Sequence, residues 1–247
     1  MPALKNFVAV DWRSGKDKIY FFFKDSNTYS KFMIDGNRVL DGYPAPITYG
    51  NWKDFHVHAR HLRFGFTTTA LPPGSPLDED TLWLFYYDGY WPMVSSYSQD
   101  EDKVVRTARL EDSDWAELLP YFDHIVAGTW WQRSGKMAQF RFLMNNGHFL
   151  TLDWNLSING PYSGPLDFNH GIPEITVDPI NNKTWPGLEP YKDRIITAVQ
   201  NDRSFADSYY YIFLTNNEYI TYNIGQNKVE YGPYKVTDVT WPGLLRD

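Results

Sequence analysis

The chain has no cysteine, so it has neither a disulfide framework nor a thiolate site for metal or redox chemistry. That fits a reducing compartment. Long apolar runs are also missing. No stretch approaches the roughly 18 apolar residues of a membrane helix. Met1 to Trp12 hold no apolar core followed by a cleavage site, so neither membrane insertion nor a signal peptide is expected. Basic clusters are absent too: 23 Lys and Arg stand against 30 Asp and Glu, for a net charge of −7. This argues against nucleic acid as a partner, since phosphate binding needs grouped cations, whereas a polyamine or a metal ion is compatible with this charge. Catalytic signatures are lacking as well. There is no Gly-x-Ser-x-Gly elbow, no His-Glu-x-x-His, no phosphate loop and no dinucleotide fingerprint. The expectation is a protein that binds and does not catalyse.

Aromatics, by contrast, are abundant: 10 Trp, 18 Tyr and 16 Phe make up 18% of the chain. Such rings favour pleated sheet over helix. They recur in a four-fold order. Apolar runs centred on alanine occur at Phe7-Val8-Ala9-Val10, Val57-His58-Ala59-Arg60, Ile125-Val126-Ala127-Gly128 and Ile196-Thr197-Ala198-Val199. An aromatic strand follows each, beginning near Ile19, Leu82, Phe140 and Tyr210, and each unit closes near Trp52, Trp115, Trp185 or Trp241. Turn dipeptides such as Asp88-Gly89, Asn146-Gly147 and Asn216-Asn217 tolerate the positive φ of tight hairpins. Helix signals are sparse; the best is Asp112 to Leu119, stopped by Pro120. The pattern predicts an all-β, single-domain, four-bladed β-propeller with blades at about 1–55, 56–123, 124–192 and 193–247.

The residues that close the units carry a resemblance. Lys18-Ile19-Tyr20-Phe21-Phe22, then Gly42-Tyr43-Pro44-Ala45-Pro46-Ile47, and twice Trp-Pro-Gly-Leu, at Trp185 to Leu188 and Trp241 to Leu244, resemble the hemopexin-like family. The likeness runs over the whole chain, most strongly in the first and fourth units, and points to the free-standing plant, fungal or bacterial type. Two departures stand out. Members in animal extracellular proteins tie blade one to blade four with a disulfide, which this chain lacks. The family's Tyr-Trp-Arg-Tyr signature is also missing, with Tyr90-Trp91-Pro92 nearest to it.

The resemblance implies a central tunnel in which main-chain oxygens beside Ala9, Ala59, Ala127 and Ala198 hold a calcium or sodium ion; close packing alone would also explain small residues there. Side chains alternate along a strand. Two residues after each alanine stand Asp11, His61, Thr129 and Gln200, all polar, which makes one end of the axis a candidate ligand site. Loops rich in Gly and Pro around Tyr43, Tyr162 and Tyr234 offer a second kind of site, in which one weak sugar contact per blade would sum to avidity. His56 and His58 could share a strand face as metal ligands. Trp83, Trp130, Trp131 and the Tyr90-Trp91 pair are either sugar-stacking platforms or core. The leading expectation is a lectin-like propeller for glycans. The alternative is a carrier of a small molecule or ion, a polyamine or haem, at the tunnel; haem is not expected.

Overall fold

A computed structural model describes residues 4–15, 17–68, 80–131, 139–153, 173–202 and 208–246. They form a four-bladed β-propeller of four antiparallel sheets, each ordered from the axis outwards. Blade one holds β1 (Phe7–Trp12), β2 (Lys18–Phe23), β3 (Thr28–Met33) and the short β4 (Arg38–Val39), with β5 (Ala45–Pro46) also paired to β3. Blade two holds β6 (Leu62–Thr68), β7 (Thr81–Asp88), β8 (Trp91–Ser98) and β9 (Lys103–Arg109). Blade three holds β10 (Ile125–Trp130), β11 (Gln139–Met144), β12 (His148–Asp153) and β13 (Glu174–Pro179). Blade four holds β14 (Ile195–Asp202), β15 (Ser208–Leu214), β16 (Glu218–Asn223) and β17 (Lys228–Lys235). The inner strands β1, β6, β10 and β14 neighbour one another in a closed ring. Helix is confined to one turn at Tyr49–Trp52 and short 3-10 segments among the described residues. The segment expected to stop at Pro120 instead runs as a 3-10 turn over Ala116–Tyr121, which tolerates the proline.

Each gap between blades is filled by one apolar cluster built around one tryptophan. Trp52 packs between blades one and two, touching Tyr20, Phe22 and Tyr97 with ring centroids 5.0, 4.6 and 5.7 Å away. Trp115 sits between blades two and three against Phe66 and Phe140, 5.3 and 5.1 Å away. Trp185 joins Phe149 of blade three to Tyr222 of blade four. Trp241 closes the ring, meeting Phe21 and Phe32 of blade one and Phe213 of blade four at 5.7, 4.7 and 5.2 Å. All four are 3% exposed or less.

One hydrogen-bonded turn delivers three of these rings. Thr237 N donates to Thr240 Oγ1, and that hydroxyl donates to Lys235 O. Asn181 N, Thr184 Oγ1 and Pro179 O repeat the arrangement before Trp185. Thr48 N, the Asn51 amide and Pro46 O repeat it before Trp52. After the ring, Pro186 O accepts from Val229 N, and Pro242 O accepts from Val39 N, so each Trp-Pro-Gly-Leu turn pins the next blade's outer edge. Gly187 and Gly243 sit at φ +85° and +80°, where a side chain would be strained. Ring closure without a disulfide thus rests on Trp241, the Val39–Pro242 bond, and Leu4 N donating to Asn217 Oδ1 at 2.7 Å.

The axis corrects the expected alanine ring. Ala59 is not on an inner strand; it lies in the 3-10 turn Ala59–His61, packed with Trp52. The inner strand of blade two starts at Leu62, and its small residue is Gly65. Blades two, three and four each carry a register shift at the start of the inner strand, at Leu62/Phe64, Ile125/Ala127 and Ile195/Thr197. Matching these shifts aligns Gly65, Gly128 and Ala198, opposite Leu84, Phe142 and Ile212, as Ala9 lies opposite Phe21 in blade one. Ala127 therefore falls one residue early and packs with Trp185 towards blade four. The small-residue ring is Ala9, Gly65, Gly128 and Ala198, and at both glycines the neighbouring blade leaves no room for a side chain. A Cβ on Gly65 would lie 2.9 Å from Val10 Cγ1 of blade one, and one on Gly128 would lie 2.8 Å from Phe66 Cδ1 of blade two.

Gly65→Ala and Gly128→Ala should each cost about 1–3 kcal/mol by overpacking. Gly36→Ala, whose nearest neighbour would be 3.8 Å away, should change stability by less than about 1 kcal/mol. Urea unfolding of the three variants checks the ordering. Equal losses at all three positions would contradict close approach at the axis.

Candidate functional site

Three of the four expected polar residues do converge at one end of the inner strands. Asp11, Thr129 and Gln200 are buried there. His61 is not among them: it is exposed, in the turn before β6. Its place is taken by Thr67, two residues after Gly65, as Asp11 follows Ala9 and Gln200 follows Ala198. The side chains bridge blades. Thr67 N donates to Asp11 Oδ1 at 3.0 Å and Thr67 Oγ1 donates to Asp11 O at 2.8 Å. Thr129 Oγ1 donates to Gln200 Oε1 at 2.6 Å. Gln99, which no sequence pattern marks, donates from Nε2 to Thr67 Oγ1, while its Oε1 accepts from Arg13 N and Ser14 N. Arg13 Nε lies 3.1 Å from Asp11 Oδ2, so the buried carboxylate is paired.

One polar atom at this end stands apart. Tyr210, opposite Gln200 on β15, is fully buried, and its hydroxyl has no hydrogen-bond partner among the described residues. Burial first, and the negative charge of Asp11 second, push its phenol well above the ordinary value, so it stays a neutral O–H group. Asn201, next along β14, gives its Nδ2 to Tyr211 OH at 3.1 Å while its buried Oδ1 has no partner among the described residues. An unpaired buried hydroxyl costs about 1–3 kcal/mol. A polar ligand at this end would relieve that cost.

The other expected positions disperse. Tyr43 is half-buried, edge-on to Tyr29 with centroids 5.2 Å apart, and Tyr234 is 50% exposed on β17. Tyr162 lies outside the described residues. The tyrosine loops thus do not present one equivalent contact per blade among the described residues. His56 Nδ1 meets Lys53 O at 2.6 Å, and the His58 ring is tilted by 30° against Tyr86, with ring centroids 4.6 Å apart. His56 is in a 3-10 segment and His58 in the turn that joins it to the next, neither on a strand. Burial lowers the His58 pKa. Among the described residues no group of three or more His, Cys, Asp or Glu is placed to hold a metal. Trp130 and Trp131 are core, and Trp83 packs edge-on to Trp115; Tyr90 and Trp91 are exposed. A cavity of about 510 Å³ opens near the starts of β1 and β14, away from the polar end, lined by Leu4, Lys5, Ile196 and Asn217 among others. Its Asn217 Oδ1 is already taken by Leu4 N.

No family model matches the chain, and no curated protein matches it either. The fold and these contacts carry the functional argument.

Several buried phenols share the behaviour of Tyr210. Burial raises the pKa of Tyr20, and burial with the Asp102 hydrogen bond raises that of Tyr97. The folded state holds these protons more tightly than the unfolded state does. The stability they contribute is present below the ordinary phenol value of about 10 and is lost as pH rises past it. The melting midpoint should fall between about pH 9 and about pH 11, with phenolate absorbance from these residues appearing only on unfolding. Full titration of all tyrosines in the folded protein would contradict their burial.

Proposed function

We propose that this propeller is a non-enzymatic ligand-binding protein whose polar axial end takes an amine, with a polyamine as the ligand class. The observation that carries the reading is the buried, unpaired Tyr210 hydroxyl beside Gln200 and within the field of Asp11. Asn201 Oδ1 and the neutral Tyr210 oxygen are the buried oxygens of this end without a partner among the described residues, while the Asp11 carboxylate is held by Arg13 and Thr67 and Gln200 Oε1 by Thr129. An ammonium group supplies up to three donors and no acceptor. The net charge of −7 favours approach of a cation. The likeness of the closing motifs to the hemopexin-like family supports a carrier role in the same direction. A carbohydrate reading built on one tyrosine loop per blade has less support, because Tyr43 is engaged in packing on Tyr29.

Calorimetric titration with spermine tests this. Binding should be measurable for the parent protein. Tyr210→Phe, which keeps the ring and removes the hydroxyl, should weaken it about tenfold, the equivalent of a hydrogen bond to a charged group. Absence of binding to the parent, or an unchanged affinity in Tyr210→Phe, would remove the proposal.

A further inference from the structure

The hairpin joining β7 to β8 carries two exposed aromatic rings at its tip. Gly89 at φ +59° makes the turn, and Asp88 pairs with Trp91 across it. Tyr90 is 96% exposed and Trp91 is 51% exposed, whereas the other tryptophans named above are core or packed edge-on. The Arg109 guanidinium lies 3.9 Å over the Trp91 ring. The strand register explains this: Arg109 on β9 faces Met93 on β8, two residues from Trp91 on the same face. Arg109 Nη1 is 3.5 Å from Glu111 Oε1. A half-exposed indole is therefore held by a planar cation, which is steadied in turn by a carboxylate.

We propose that Trp91, Arg109 and Glu111, with Tyr90 beside them, form a carbohydrate-binding platform for a neutral oligosaccharide. A pyranose presents an apolar C–H face and a rim of hydroxyls. The indole takes the first by stacking. Arg109 donates to hydroxyl oxygens, and Glu111 accepts from hydroxyl protons. The guanidinium and the carboxylate cancel in charge, so the platform makes no demand for an acidic or basic sugar. Its size also argues for a sugar over a protein. Two rings at these exposures offer roughly 300 Å², well short of the roughly 800 Å² per partner of a stable protein interface. The platform is on the outer part of blade two and is independent of the axial site.

The test is affinity measurement with cellohexaose, chitohexaose, xylohexaose and mannohexaose, for the parent, Trp91→Ala and Tyr90→Ser. At least one of these sugars should bind the parent. Trp91→Ala should weaken that binding about tenfold or more, with an unchanged circular-dichroism spectrum and unchanged spermine titration. Tyr90→Ser, at the fully exposed turn position, should weaken it less. If none of the four binds the parent, or if Trp91→Ala binds as tightly as the parent, the proposal fails, whatever the outcome at the axial site.

Discussion

Each blade of this propeller is a twisted antiparallel sheet that is apolar on both faces and cannot be stable alone. The interaction on which everything else depends is the insertion of one tryptophan between each pair of neighbouring blades. Trp52, Trp115, Trp185 and Trp241 each touch rings from two sheets and are almost wholly shielded from water. An indole buries about 150–250 Å² and prefers edge-to-face contacts, which suits the wedge between two twisted sheets. The shared turn before Trp52, Trp185 and Trp241 fixes the direction of those rings, and the proline carbonyl after Trp185 and Trp241 ties the following edge strand. With the outer gaps filled, the inner strands are forced together at the axis. Gly65 and Gly128 leave no room for a Cβ, and Ala9 and Ala198 hold the same place in the other two blades.

This same closeness places the polar ends of the inner strands within hydrogen-bond reach of one another. Thr67 with Asp11 and Thr129 with Gln200 clasp the blades in pairs, and Ala9 N donating to Thr197 Oγ1 adds a third link between blades four and one. The clasp and the proposed site are the same residues used twice. Structural bonds hold Asp11, Thr67 and Gln200 in place, and the buried Tyr210 hydroxyl, on the residue opposite Gln200, is the group proposed to meet the ligand. The exposed platform at Trp91 has a different origin. It lies at a hairpin tip that no neighbouring blade covers among the described residues, so its rings stay exposed.

Much of the architecture was legible because strands, turns and closing tryptophans leave local signals. Gly147 at φ +77° and the Asn216–Asn217 pair at φ +67° and +54° bear out the hairpin turns read from the sequence. In the turn after β3 the positive φ falls on Asn37 and not on the preceding Gly36, a difference of one residue that dipeptide patterns do not resolve. The axial residues were harder. Val57-His58-Ala59 imitates the alanine run of the other units, whereas the true inner strand of blade two, Leu62-Arg63-Phe64-Gly65-Phe66-Thr67, carries glycine in place of alanine. The one-residue error at Ala127 has the same origin: Gly128 next to it holds the ring position, whereas in blade four, which carries the same register shift, the alanine itself does. Gln99 reaches the axis from the end of β8 through a contact 86 residues away in sequence, beyond any local pattern.

The ring closed by Trp241 is the claim to challenge first, since no covalent link backs it. Equilibrium urea unfolding of Trp241→Ala, followed by far-ultraviolet circular dichroism and by fluorescence of the remaining tryptophans, addresses it directly. A loss of about 3–5 kcal/mol, the cost of removing a buried tryptophan side chain, is expected. A loss below about 1 kcal/mol would mean that blades one and four hold together without this ring, and the account of the fold given above would be wrong.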